Sequence, residues 1–279
     1  MSAPRAFLAV VAAAACTACL DTSTVITLKA DGSGTIQQRL LVSTEGLEDA
    51  LGGMGFKNKG GGSRSAKSAG GPKVEDLRAD AARVGDGVTL LSVEPVKAAA
   101  GFQGAVATYS FRDIRKVKAD QFLMPGPAGG PGGASSDDRT AFTFTTTPQG
   151  TALLSLAFDD RPGKKKTGPK GPGAGAPQDF SDVSDAKVRE MVRTMFRGFK
   201  VGLVLEVDGD IVRTNADYVE GRRITLMALD MDRLLADDSR LKALDKVFAP
   251  DLSLAEARPL LATLDGIKVN KPLVKVEFR

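Results

Sequence analysis

Residues that usually do chemistry are scarce in this chain. None of its 279 residues is a histidine. That excludes Ser-His and Cys-His nucleophilic pairs, imidazole general bases and imidazole metal ligands. Ser63 and Ser65 lie among glycines and lysines, and no G-x-S-x-G pattern frames a nucleophile. Gly60-Gly61-Gly62 lacks the lysine and helix start of a phosphate-binding loop. The pairs Asp137-Asp138, Asp159-Asp160 and Asp237-Asp238 lack the alternate-position spacing of a calcium loop and read as solvated turns. No catalytic residue, metal ligand or cofactor is expected, and the chain reads as a non-enzyme.

Candidates for contact remain. Asn215, in Thr214-Asn215-Ala216, could present its amide to a ligand or partner at a strand end. The same amide suits a turn, where it bonds local backbone. Arg222 and Arg223 could meet an anionic group, or simply start a surface strand. Lys164, Lys165 and Lys166, with Arg161 and Lys170, form the densest charge run. Against anionic headgroups each basic residue contributes on the order of 1 kcal/mol, although a solvated linker explains the run as well. A net charge of +4 from 38 basic and 34 acidic residues is too balanced for a nucleic-acid binder. Aromatics at 5% with no tryptophan argue against stacking on bases or sugars.

The two cysteines, Cys16 and Cys19, close a short apolar run that begins after Arg5. A positive start, an apolar middle and small residues at the end make residues 1–18 a secretory signal, too short for a comfortable membrane span. A cysteine after small residues at that point looks like a bacterial lipobox. Cys19 is the favoured acceptor of the acyl chains, a palmitate-type anchor, with Thr17 and Ala18 before it. Cys16 is the rival, after Ala13-Ala14-Ala15. Leu20, not Asp, follows Cys19, which points to an outer membrane facing the periplasm. Only Leu20-Asp21-Thr22 is expected to tether the folded part.

Periodicity supplies the elements that would hold these residues. Ser184 caps a helix whose apolar face is Val188, Met191, Val192, Met195, Phe196 and Phe199, and Gly198 ends it. The period then falls to two: Val201, Leu203, Leu205 and Val207 share one face of a strand. Asp208-Gly209-Asp210 reads as a hairpin turn into Ile211–Thr214, followed by a strand over 222–229. Further strands are expected at 23–30, 35–43, 88–93, 102–111, 140–147, 151–158 and 274–278, and short helices over 231–261. The Gly-, Pro-, Ser- and Lys-rich stretches 57–73, 125–138 and 161–179 are expected to be mobile loops. Strands flank each of them, so residues 19–279 read as a single domain. The class is α+β: one largely antiparallel sheet of meanders and hairpins, packed by a few helices.

Two stretches carry a family resemblance. Cys19 to Thr35, with its Asp31-Gly32-Ser33-Gly34 turn, resembles the start of uncharacterised bacterial envelope lipoproteins. Asp208 to Ala216, with Gly221 and Ile224-Thr225-Leu226, resembles the same group, of which the LppM-type lipoprotein domain is the nearest named member. The resemblance implies an antiparallel sheet with helices at the envelope and proposed lipid or glycolipid binding. It carries no catalytic residue. A membrane-held binding module for an amphiphile is therefore expected, with a docking subunit of an envelope complex as the alternative.

Overall fold

The structure, a computed structural model, describes residues 20–43, 78, 81–98, 102–118, 140–148, 150–158, 190, 192–194, 196–237, 239–240 and 254–279. Cys16, Cys19, Lys164, Lys165, Lys166 and the stretches 57–73, 125–138 and 161–179 lie outside them.

Twelve strands dominate the described residues: β1 (Leu20–Leu28), β2 (Gly34–Ser43), β3 (Thr89–Lys97), β4 (Phe102–Phe111), β5 (Thr140–Thr146), β6 (Ala152–Phe158), β7 (Lys200–Val207), β8 (Ile211–Thr214), β9 (Val219–Glu220), β10 (Arg223–Asp230), β11 (Ile267–Val269) and β12 (Leu273–Phe278). They form two sheets. The larger runs β11-β10-β7-β1-β2-β4-β3, with β9 beside β10, and the smaller runs β5-β6-β12-β8. Two short helices, α1 (Met231–Leu234) and α2 (Leu254–Leu261), and a 3-10 turn at Ile114–Lys116 accompany them.

Alternation in the sequence explains the burial. Ile26 and Leu28 of β1 lie level with Leu205 and Val207 of β7 and with Ile36 and Gly34 of β2. These side chains share one face of the larger sheet. Leu154 and Leu156 of β6 and Val274, Val276 and Phe278 of β12 meet them in one cluster, so the two sheets pack face to face. Each buried leucine or isoleucine contributes about 1.5–3 kcal/mol relative to an exposed one.

Three expectations are corrected here. The α+β class gives way to a β-rich fold of two sheets. Eleven of the twelve largest fully buried side chains stand on strands and the twelfth, Ile114, on the 3-10 turn. The smaller sheet, not a layer of helices, therefore covers the apolar face of the larger one. The single sheet fed by the whole chain also divides in two, because β5, β6, β8 and β12 pair among themselves. Finally, β7, β8 and β10 are no meander. β10 pairs with β7, whereas β8 crosses to β12 in the other sheet.

Asp208-Gly209-Asp210 is accordingly a corner between sheets. The Asp208 N–H donates to Leu28 O at 2.8 Å, and Asp210 exchanges backbone bonds with Arg279 at 2.8 and 3.1 Å. A Cβ on Gly209 would stand 2.3 Å from Arg279 O, so a side chain here collides with backbone. Residues 190 and 192–194 are helical, and Gly198 at φ +75° ends that segment as its type predicts. A Cβ added there would stand 2.7 Å from the Phe102 ring.

Candidate functional site

Asn215 follows β8 and extends its pairing with β12 through the side chain. Its N–H donates to Lys275 O at 3.3 Å, and its Nδ2–H donates to Leu273 O at 2.9 Å. Its Oδ1 accepts from the Lys275 N–H at 2.6 Å. Both polar ends of the amide are thus bonded to strand backbone. Lys271 Nζ donates to the Asn215 carbonyl at 2.8 Å.

Next to it lies a residue that periodicity did not single out. Asn270 is 1% exposed. Its Oδ1 accepts from the Asp217 and Lys271 N–H groups at 3.1 and 3.0 Å. Its Nδ2–H donates to Thr225 O at 3.0 Å, and its N–H to Leu226 O at 3.0 Å. Asp217 also pairs with Arg258 of α2 and, at 3.1 Å, with Lys271. Asn215, Asn270 and Asp217 therefore tie β8, β10, α2 and the β11–β12 turn together. Asn270-Lys271-Pro272 between two strands was the available signal, since asparagine and proline there mark a turn.

Arg222 and Arg223 are not gathered with Asn215. Arg222 stands 3.7 Å from Asp210 at the sheet corner, and Arg223 stands 3.5 Å from Glu206 across the β10–β7 pair. Asn215 is five residues beyond Asp210, about 15 Å along an extended strand. Both guanidinium groups are more than half exposed, so the pairs contribute little stability and leave the arginines open to solvent.

Between the helical segment and α1 lies a shallow cleft of about 250 Å³, lined by Glu190, Arg193, Arg197, Asp232, Leu235 and Ala236. Arg193 Nε donates to Leu235 O at 2.9 Å, and the Gly198 N–H donates to Asp232 Oδ1 at 2.8 Å. Four of its six lining residues are charged, unlike the mostly apolar walls of a small-molecule pocket. Among the described residues, no three of Asp, Glu, Cys and His converge to hold a metal ion. None of the described helices is long and apolar enough to cross a membrane.

Three carboxylates at turns are held below their ordinary pKa. The Ser33 hydroxyl and N–H hold the Asp31 carboxyl below its ordinary value. The Arg115 guanidinium does the same for Asp113, and the Ser239 N–H for Asp237. Each carboxylate closes a local loop, and among the described residues none is bonded to a second acid as an acid-base pair requires.

No known protein family matches the chain, and no curated protein matches it in sequence. Among solved structures, it is similar to the NMR structure of the folded domain of LppM from Mycobacterium tuberculosis, at 11% identity. That similarity covers 93% of this chain and 89% of the LppM chain, with a TM-score of 0.31. The resemblance is distant, and neither fold nor function is drawn from it.

Proposed function

We propose that this is a non-enzymatic, membrane-anchored protein of the bacterial envelope that acts as a docking module through its surface. The observation that carries docking is the closed interior. Ile26, Leu28, Leu154, Leu205 and Val276 meet between the sheets at 0% exposure. Amphiphiles need an apolar cavity of roughly 300–1,000 Å³. The cleft beside the helical segment is smaller, open and charged.

The anchor reading rests on the signal and on where β1 begins. β1 starts at Leu20, so the tether expected over Leu20–Thr22 is itself strand. An acyl group on Cys19 sits one residue before a sheet. The end carrying Leu20, Val42 and Lys200 then rests at the bilayer. Leu28 lies eight residues on, about 27 Å away at strand rise. Arg222 is near that far end, where its carbonyl accepts the Val207 N–H beside Leu28. It faces away from the headgroups, in position to meet a partner protein.

Cell fractionation with mass analysis of the N-terminal peptide tests the anchor. The native protein is expected in membranes with an acyl mass on Cys19, and a C16S/C19S double variant in the soluble fraction. A variant that stays on membranes, or a native peptide without acyl mass, overturns the anchor. Crosslinking in cells, paired with lipid extraction of the purified protein, tests docking. One dominant protein partner is expected, and an amphiphile recovered above a control protein overturns docking in favour of ligand carriage.

A further inference from the structure

The cleft between the helical segment and α1 carries balanced charge. Arg193 and Arg197 face Glu190 and Asp232 across a lining completed by Leu235 and Ala236. Arg193 is fixed by its Nε bond to Leu235 O, and its Nη1 lies 4.0 Å from Glu190 Oε2. Asp232 is fixed through Oδ1, which accepts the Gly198 N–H at 2.8 Å. Arg197 and Asp232 are both exposed, and neither forms an ion pair with a described residue. The balance selects the ligand's charge. An anion alone would meet two carboxylates, and a cation alone two guanidinium groups. A zwitterion finds a partner for each of its ends.

The cleft lies at the end of the molecule assigned to the anchor. Lys200 is level with Asp21 of β1 and with Asp230 of β10, and it pairs with Asp230 at 3.1 Å. β1 and β7 run parallel, so the chain enters both from the same end, through Cys19 into β1 and through Arg197 into β7. The Met231 N–H donates to Phe199 O at 3.0 Å, which sets α1 beside that end. At about 250 Å³ the cleft is smaller than the roughly 300–1,000 Å³ that encloses a whole small molecule. A lipid headgroup fits it while the acyl chains stay in the leaflet.

We propose that this cleft takes the headgroup of a phosphatidylethanolamine from the leaflet that holds the anchor, a reading that rests on the anchor for its orientation. The phosphodiester oxygens accept from the Arg197 guanidinium, whose planar fork matches phosphate. The primary ammonium donates to Asp232 Oδ2, with Glu190 adding negative charge nearby. A choline headgroup has no N–H to donate, and a phosphatidylglycerol headgroup has no cation to answer the carboxylates. The site is exposed, so each contact is weak alone. The acyl anchor makes the encounter intramolecular, and weak contacts then suffice to fix how the domain stands on the leaflet. The lipid is gripped in place and not carried away.

The acylated native chain, reconstituted into vesicles of phosphatidylcholine and phosphatidylethanolamine, is treated with a water-soluble carbodiimide. That reagent joins a carboxylate to a primary amine in contact with it. Peptide mass spectrometry reads the lipid amide at each carboxylate, relative to free ethanolamine coupled at the same position. Asp232 is expected to carry about tenfold more lipid amide than Asp21, an acid at the same end that pairs with Arg39. Arg197→Gln should lower the Asp232 yield about tenfold, with the Asp21 yield and the melting curve unchanged. Equal relative yields at Asp232 and Asp21 overturn the proposal, and so does an Asp232 yield that survives Arg197→Gln. A chain that floats with the vesicles but gains no lipid at Asp232 overturns the role of the cleft alone. A chain that does not float overturns the anchor, and this reading with it.

Discussion

Asn215 and Asn270 look alike in sequence, each an asparagine after a strand, yet the structure makes their substitution unequal. Asn215→Ala removes two side-chain bonds to β12 at an exposed site, a loss of about 1 kcal/mol. Asn270→Ala leaves the Asp217 and Lys271 N–H groups and the Thr225 carbonyl without their partner in a buried place, a loss of about 2–3 kcal/mol. Urea unfolding of the two variants should rank them in that order, and equal midpoints would contradict the hub assigned to Asn270. Asp113 gives a pH prediction. Its carboxylate caps the 3-10 turn and pairs with Arg115, which lowers its pKa in the folded state. A lowered carboxylate pKa stabilises fully above the ordinary aspartate value, about 3.9, and that stability is lost as pH falls through the folded value. The melting-temperature gap between the native chain and Asp113→Asn should therefore be constant near neutrality and close below about pH 4. The gap is small, because Arg115 is largely exposed.

At the scale of elements, local pattern carried far and non-local pairing stayed hidden. The alternation of Val201, Leu203, Leu205 and Val207 shows a strand with one buried face, and the structure buries those four residues. Nothing in that alternation says that β7 lies parallel to β1, because partner choice depends on residues far away in the chain. Asp208-Gly209-Asp210 has the composition of a hairpin turn, and composition cannot show that Leu28 and Arg279 take its backbone bonds. The contact residues were equally half legible. Asn215 stood out as a strand-end amide, but its two acceptor and donor partners come from a strand some 60 positions later. Glycines inside strands give the sharpest element-level test. A Cβ on Gly104 would lie 1.9 Å from the Leu40 carbonyl oxygen, where β4 crosses β2. Gly104→Ala forces backbone apart and should cost about 1–3 kcal/mol or more by thermal unfolding. Gly150→Ala meets no atom within 4 Å, so its cost is the positive φ alone and should be smaller.

For the molecule as a whole, the prediction concerns cooperativity. Leu205 belongs to the larger sheet and Leu154 to the smaller, and both sit at 0% exposure in the same cluster. Truncation of either to alanine should cost about 2–5 kcal/mol. Because the interior is shared, both variants should lower the midpoint of one common transition, followed by circular dichroism during urea titration. Two transitions, each moved by one variant, would show that the sheets unfold separately.

The place of β1 sets a schedule for making the protein. One flank is filled early by β2, but the other stays vacant until β7 has been synthesised, more than 170 residues later. At ~5–20 residues per second that is a wait on the order of ten seconds or more. Throughout it one backbone edge of the first hairpin has no strand to bond, and β6 likewise waits for β12 to arrive. A nascent chain of this design needs an escort that keeps it from sticking to its siblings, and dilution should govern the yield of any attempt to regenerate it from denaturant.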